Sequence, residues 1–192
     1  MANNLNSQVR AVNRQMKRSK RAVKVGASSA LNKTADRIKS RVVKAVSTEE
    51  NIQQKHIRKR VYISKSNPKK MRARVTAYQG DIPVISLGAK ELKRGKGVSA
   101  PKRRYPNAFI ADGSKGYGKY QGKGRYGSTK LARGHVLVRT SKSRYPLEVV
   151  KVEIRDSVKK HSPQIARKQM NDEYPRIAKH EIDYRLKKYA DR

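Results

Sequence analysis

Gly80-Asp81-Ile82-Pro83-Val84-Ile85-Ser86-Leu87-Gly88 is the most apolar glycine-bounded run in a chain otherwise dense in charge. Val84, Ile85 and Leu87 favour a short buried strand, and the two glycines punctuate its ends. Pro83 has no N–H to give to a ladder, which confines it to the first residue of a strand or to a sheet edge. Basic helical sequence precedes this run. A glycine-rich basic loop, a second strand group and a helical tail follow it. The order predicts an α+β fold: a basic amphipathic helical region over 1–58, a small, mainly antiparallel sheet domain over 59–155, and a kinked C-terminal helix over 156–192.

Upstream of the run, Leu5, Val9, Val12, Met16 and Val23 recur at the spacing of an amphipathic helix. Arg10, Arg14, Lys17, Arg18, Lys20, Arg21 and Lys24 fill the other faces. Gly26 and Ser28-Ser29 predict a break or kink, after which the stripe resumes through Ala30, Leu31, Ala35, Ile38, Val42 and Ala45. The stripe reads as core or subunit contact. The excess charge fits either solvated basic faces or an acidic partner. Ser47-Thr48-Glu49-Glu50 reads as the start of a short helix through about Arg58, with a capping hydroxyl and acids near the positive end of the dipole. Val61-Tyr62-Ile63 and Arg72 to Tyr78 alternate as strands around an Asn67-Pro68 turn.

Residues 89–134 hold nine of the twelve glycines and thirteen Lys or Arg against two acids, Glu91 and Asp112. Ala108-Phe109-Ile110-Ala111 reads as a strand or anchor in mid-loop. Beyond it Tyr117, Tyr120 and Tyr126 interleave with Lys115, Lys119, Lys123 and Arg125, a pattern suited to phosphate contact and base stacking. A surface loop that orders on assembly fits the same residues. Val136-Leu137-Val138 and the run Leu147, Val149, Val150, Val152, Ile154 form an expected antiparallel hairpin across the polar turn Thr140 to Ser143. Asp156-Ser157 and Ser162-Pro163 are helix-start signals, and Pro175 is expected to kink or restart the last helix.

With 49 Lys and Arg against 14 Asp and Glu, the net charge is +35, and only 35% of residues are hydrophobic. Such a chain repels itself when compact and calls for an anionic partner, of which nucleic-acid phosphate is the obvious kind. Cysteine is absent, which excludes a disulfide scaffold and a thiolate metal site. No apolar run approaches the roughly 20 residues that span a bilayer, and Met1 to Leu5 lacks a signal-peptide core. Synthesis in the cytoplasm without membrane contact is the expectation.

Chemistry finds little support. Gly122-Lys123-Gly124-Arg125-Tyr126-Gly127 has the spelling of a dinucleotide-binding turn, but not the preceding strand, following helix and later acid that motif needs. Asp81, Asp112, Glu148 and His135 can be drawn together as a metal-dependent nuclease site, yet nothing in their spacing demands it. The histidines at 56, 135, 161 and 180 lack metal-ligand spacing. The residues predict a protein that binds or builds rather than catalyses, with no cofactor and no metal.

Three segments in order carry a resemblance. They are Asn67-Pro68 leading to Gly80–Gly88, then Pro106-Asn107-Ala108-Phe109-Ile110, then Arg144-Tyr145-Pro146-Leu147-Glu148-Val149-Val150-Lys151-Val152. Together with the basic loop between the first two and the total length, they resemble the phage minor tail protein Z family. Within that resemblance the motif residues are Gly80, Asp81, Pro83, Leu87, Gly88, Phe109, Arg144, Tyr145 and Pro146. The loop from Gly113 to Gly134 looks longer than the family pattern, so no role for it is inherited. The resemblance implies a structural tail completion protein of long-tailed phages, sited at the head-proximal end of the tail in the virion. Head–tail joining and correct genome positioning are the roles the resemblance implies there. The partners implied are the tail terminator, the head–tail connector, the tail tube protein and viral double-stranded DNA, and tail symmetry suggests a homo-hexameric ring.

Placed beside the charge, this reading assigns polyanion contact to Lys93, Arg94, Lys96, Lys102, Arg103, Arg104, Lys115, Lys119, Lys123 and Arg125. Val84, Ile85, Leu87, Phe109, Val149 and Val152 are the expected core. The alternative is an RNA-binding protein of ribosomal type, suggested by the sequence pI of about 10.9.

Overall fold

Helix α1 runs without interruption from Ala2 to Glu49, so the break expected at Gly26 and Ser28-Ser29 does not occur. The reason is tertiary. A Cβ on Gly26 would lie 2.8 Å from the Ile182 Cα and 3.0 Å from the Glu181 carbonyl oxygen. Glycine lets two helix backbones approach, and this packing offsets the roughly 1 kcal/mol that glycine costs a helix interior. Ala30, Ala35, Ile38 and Val42 are buried along the expected stripe, but its first half, Val9, Val12, Met16 and Val23, is exposed, and Ala22 is buried in place of Val23.

The computed structural model describes residues 2–92, 96–111, 134–142 and 147–190. The chain forms two units, Met1–Ala45 with Arg58–Tyr78 and Lys159–Arg192, and Val46–Ile57 with Gln79–Val158. Helix with small antiparallel sheets throughout makes the fold α+β.

In the first unit α1 lies antiparallel to the C-terminal helices, since Gly26 meets Ile182 while Arg37 and Arg41 reach Glu173. Helix α3 (Arg155–Lys168) passes through a π-wound segment, Gln169–Glu173, into α4 (Tyr174–Ala190). Two start signals read from sequence are corrected here. Pro163 lies inside α3, and Asp156 sits in its first turn rather than before it. Pro175, expected to kink or restart the last helix, lies in the first turn of α4, directly after the π segment. The wider turn accommodates a residue with no N–H and a ring that crowds the preceding turn. A hairpin completes the unit: β1 (Val61–Ser64) pairs antiparallel with β2 (Arg74–Ala77). Its turn is the expected one, with Asn67 Oδ1 accepting from the N–H groups of Lys69 (3.0 Å) and Lys70 (2.6 Å).

The second unit opens on the end of α1, where Ser47–Glu50 was expected to begin a helix. It ends one instead. Asn51 adopts φ 54°, the Ile52 N–H donates to Ser47 O (3.1 Å) and the Asn51 N–H to Thr48 O (3.4 Å). This pair of bonds around a left-handed residue is the Schellman stop, completed by the buried Ile52. The short helix α2 follows at Gln54–Arg58.

The opening run is only partly strand. Ile82–Pro83 form β3, and Val84–Leu87 wind into a single 3-10 turn closed by Gly88. Pro83 ends β3, on a two-stranded ladder where its missing N–H breaks no central pairing. The segment 89–111, expected as loop except at Ala108–Ala111, folds into strands: β4 (Lys90–Glu91), β5 (Val98–Ala100), β6 (Arg103–Tyr105) and β7 (Ala108–Ala111). The first three form a meander. Strand β7 pairs with β8 (His135–Arg139), which pairs in turn with β9 (Leu147–Val149), the expected hairpin. The long strand predicted through Ile154 is divided. Val150 donates its N–H to Val136 O (2.9 Å) and accepts from Val84 N (3.0 Å), after which β10 (Lys151–Val152) pairs with β3. One residue thereby hands the chain from one sheet to another.

Val84, Leu87 and Val152 are buried as expected, and Ile82, Val98, Val136 and Ile154 are buried in the same unit. Ile85, Phe109 and Val149 are only half-buried.

Candidate polyanion-binding surface

Of the cations assigned to polyanion contact, Lys96, Lys102, Arg103 and Arg104 fall on the β4–β5–β6 meander. Lys93, Arg94, Lys115, Lys119, Lys123 and Arg125 lie outside the described residues, as do Arg144, Tyr145 and Pro146 of the family motif. Gly97 makes the β4–β5 connection possible: at φ 95° its missing Cβ would stand 2.3 Å from Tyr105 O. Lys96, next to it, is exposed. Pro101-Lys102 joins β5 to β6 with Lys102 at φ 68°. Proline at the first corner and positive φ at the second is the type II pattern, which usually takes glycine at the second. Here a lysine holds that position, strained and pointing its charge off a hairpin end.

Register decides which cations share a face. Val98 stands opposite Tyr105 and Ala100 opposite Arg103, while Ser99 stands between Lys90 and Arg104. Strand alternation therefore puts Lys90, Ser99 and Arg104 on one face and Arg103 on the other. Lys90, Lys102 and Arg104 are exposed. Ser99, Ala100, Lys102, Arg103 and Arg104 line one shallow depression of this surface. Arg103 is engaged differently, donating to the carbonyl oxygen of Glu50 and lying 3.5 Å from its carboxylate. It holds the end of α1, where exposed carbonyls favour a cation, and the Glu50 carboxylate also accepts from the buried Ser157. Lys90 was missed in the sequence because only the strand register shows that it shares a face with Arg104.

The motif run acts structurally. Ser86 Oγ donates to Pro83 O (2.7 Å), and Gly88 N–H to Ile85 O (3.2 Å), which fixes the 3-10 turn. Asp81 is exposed at its start. Phe109 lies beneath the Arg139 guanidinium, 5.9 Å from ring centre to charge, and the Glu91 carboxylate accepts from the neighbouring Ile110 N–H (2.7 Å). Asp112 lies outside the described residues. Glu148 stands opposite Val138 and His135 opposite Ala111. Among the described residues no group of three or more His, Asp or Glu could hold a metal ion.

Two carboxylates are held below their ordinary range, both in the first unit. Glu173 is lowered chiefly by a hydrogen bond from Arg37, with Gln169 and the Arg41 charge assisting against partial desolvation. Glu181 is lowered chiefly by Lys33, with Ser29 (2.8 Å) adding a second bond. These acids fasten the π segment and α4 to α1.

Comparison with known proteins places the chain among structural components of a bacteriophage tail. The family model described as Prophage minor tail protein Z (GPZ) matches residues 5–192. A tail completion protein of Escherichia phage N15 is 31% identical over 144 residues, covering 70% of this chain and 70% of that protein. Tail completion protein Z of Escherichia phage lambda is 27% identical over 152 residues, covering 70% of this chain and 71% of the relative. No solved structure matches. The chain belongs to the prophage minor tail protein Z family.

Proposed function

We propose that this protein completes the phage tail at its head-proximal end, where it serves head–tail joining and positions the genome. The family match over residues 5–192 carries the reading. The protein forms a homo-oligomeric ring, six-fold if it follows tail symmetry, between the tail tube below and the tail terminator and connector above. It works without catalysis or cofactor. Its cations neutralise the viral double-stranded DNA: Lys96, Lys102 and Arg104 from the meander, with Lys93, Arg94, Lys115, Lys119, Lys123 and Arg125 from the adjoining segments. The net charge of +35 supports this part, since a ring of such chains needs a matching polyanion.

The test is complementation. Tails are assembled in cells lacking this gene, mixed with purified protein and then with filled heads, and infectious particles are counted. Infectivity restored in proportion to added protein supports completion. Infectivity that stays low, with the protein recovered on ribosomes or RNA, would replace this reading with the RNA-binding one.

A further inference from the structure

Between Asn51 and Gly80 the chain carries nine Lys or Arg and no acid. At the centre of this stretch the β1–β2 hairpin presents two unlike faces. Val61, Ile63, Val75 and Ala77 are buried or half-buried, whereas Tyr62, Ser64, Arg74 and Thr76 are exposed. The Tyr78 N–H donates to Arg60 O (2.8 Å), which extends the ladder by a pair, and the Arg60 guanidinium lies 5.6 Å over the Tyr78 ring. Tyr62 and Tyr78 are 61% and 63% exposed, among the most open large side chains described. Beyond the strands Lys65, Lys69, Lys70 and Arg72 are exposed around the turn. Among the described residues none of these four, nor Arg74, forms an ion pair.

The hairpin is also held rigidly from behind. Ser66 is buried and its N–H donates to Asn32 Oδ1 (2.7 Å), while Asn32 Nδ2 returns a bond to Ser66 O (3.0 Å). Ser28 Oγ donates to Ser66 Oγ (3.2 Å), which donates to Lys70 O (3.1 Å). The turn is thus pinned to α1, while Lys65, Lys69 and Lys70 are exposed. A rigid, acid-free ribbon with polar and aromatic groups on its open face has no use for these features as packing.

We infer that the β1–β2 hairpin is a duplex-DNA-binding ribbon, its Tyr62/Arg74/Thr76 face set in the major groove and its Lys/Arg turn on the flanking phosphates. Strands about 4.8 Å apart form a ribbon that the major groove, roughly 12 Å wide, admits. Ser, Thr, Tyr and Arg provide the donors and acceptors that meet base edges and phosphates there. Duplex is taken as the partner because the paired strands form a ribbon that fits the major groove; Tyr62 and Tyr78 are both exposed rings, and a single strand stacking on them is the competing outcome of the test. This surface is separate in sequence from the meander cations assigned above, so the two readings can fail independently.

The experiment measures binding of the full chain to a short duplex by fluorescence anisotropy across a salt series. Replacing Lys69, Lys70, Arg72 and Arg74 with Gln is expected to flatten the log–log salt dependence by roughly three to four units and to weaken binding about tenfold or more. The parent protein is expected to displace methyl green, a major-groove ligand, from the duplex. A parallel variant replaces Lys96, Lys102 and Arg104. An unchanged ribbon variant beside a weakened meander variant overturns the ribbon alone; two unchanged variants overturn both readings of DNA contact. Single strand bound more tightly than duplex, or methyl green left in place, also overturns the ribbon. Acetylation footprinting of the parent protein keeps the test independent of variant folding: duplex should protect Lys65, Lys69 and Lys70, and equal labelling with and without duplex counts against the inference.

Discussion

Gly26, Asn51 and Arg103 each do a job that depends on a few atoms. Ala at position 26 ordinarily favours a helix by about 1 kcal/mol, but its methyl would press on the backbone of Ile182 at 2.8 Å. Gly26→Ala should therefore destabilise by about 1–3 kcal/mol, read as a lower urea midpoint; a raised midpoint would show that the backbones are not in contact. Asn51 holds a left-handed conformation, so Asn51→Ala should cost about 1 kcal/mol while Asn51→Gly costs little or nothing. Equal loss from both would mean the Asn side chain, not its backbone, ends the helix. Arg103 and Arg104 are neighbours with opposite orientations. Arg103→Gln should lower stability by about 1 kcal/mol through the lost bond to Glu50 and leave the salt slope of DNA binding intact. Arg104→Gln should do the reverse, lowering the slope by about one unit.

At the scale of elements, the pairing of α1 with the C-terminal helices is expected to weaken in acid. Glu173 and Glu181 are lowered from 4.5 in the folded chain. Their stabilisation is complete above that ordinary value and is lost as the pH falls below it toward the folded values, because the unfolded chain takes up protons first. The thermal midpoint should therefore fall as the pH drops below about 4.5. A Glu173→Gln/Glu181→Gln variant should start lower at neutral pH and converge on the parent in acid; parallel curves would show that these contacts do not drive the acid response. Elements were also where sequence reading succeeded and failed for definable reasons. The second half of the helix stripe, the Asn67 turn and the β8–β9 hairpin depend on local pattern, and pattern revealed them; the first half of the stripe, Val9 to Val23, is exposed. The stop at Glu49 was read as a start because Ser47 and the two glutamates imitate a cap, and the competing stop signal, an Asn suited to the left-handed conformation at position 51, was passed over. Gly26 was read as a break because its cost is local and its benefit lies 156 positions away at Ile182. The change of partner at Val150, likewise, is a tertiary event inside a uniform run of β-branched residues.

At the scale of the whole molecule, charge was legible at once, but its distribution was not. Sequence drew attention to the glycine-rich segment because aromatics and cations interleave there. It gave no reason to single out Tyr62, Tyr78 and Arg74, whose common face exists only once β1 and β2 pair. Membership of the minor tail protein Z family assigns a structural role in the phage tail. Under the function proposed above, the cationic surfaces bear on how the genome meets that tail. The most direct test of this account is localisation. Tails made without this protein are supplied with a gold-tagged copy and imaged by electron microscopy. Label confined to the head-proximal end, as a single ring-sized focus, is the predicted result. Label along the tail tube, at the distal tip, or absent from tails would contradict it.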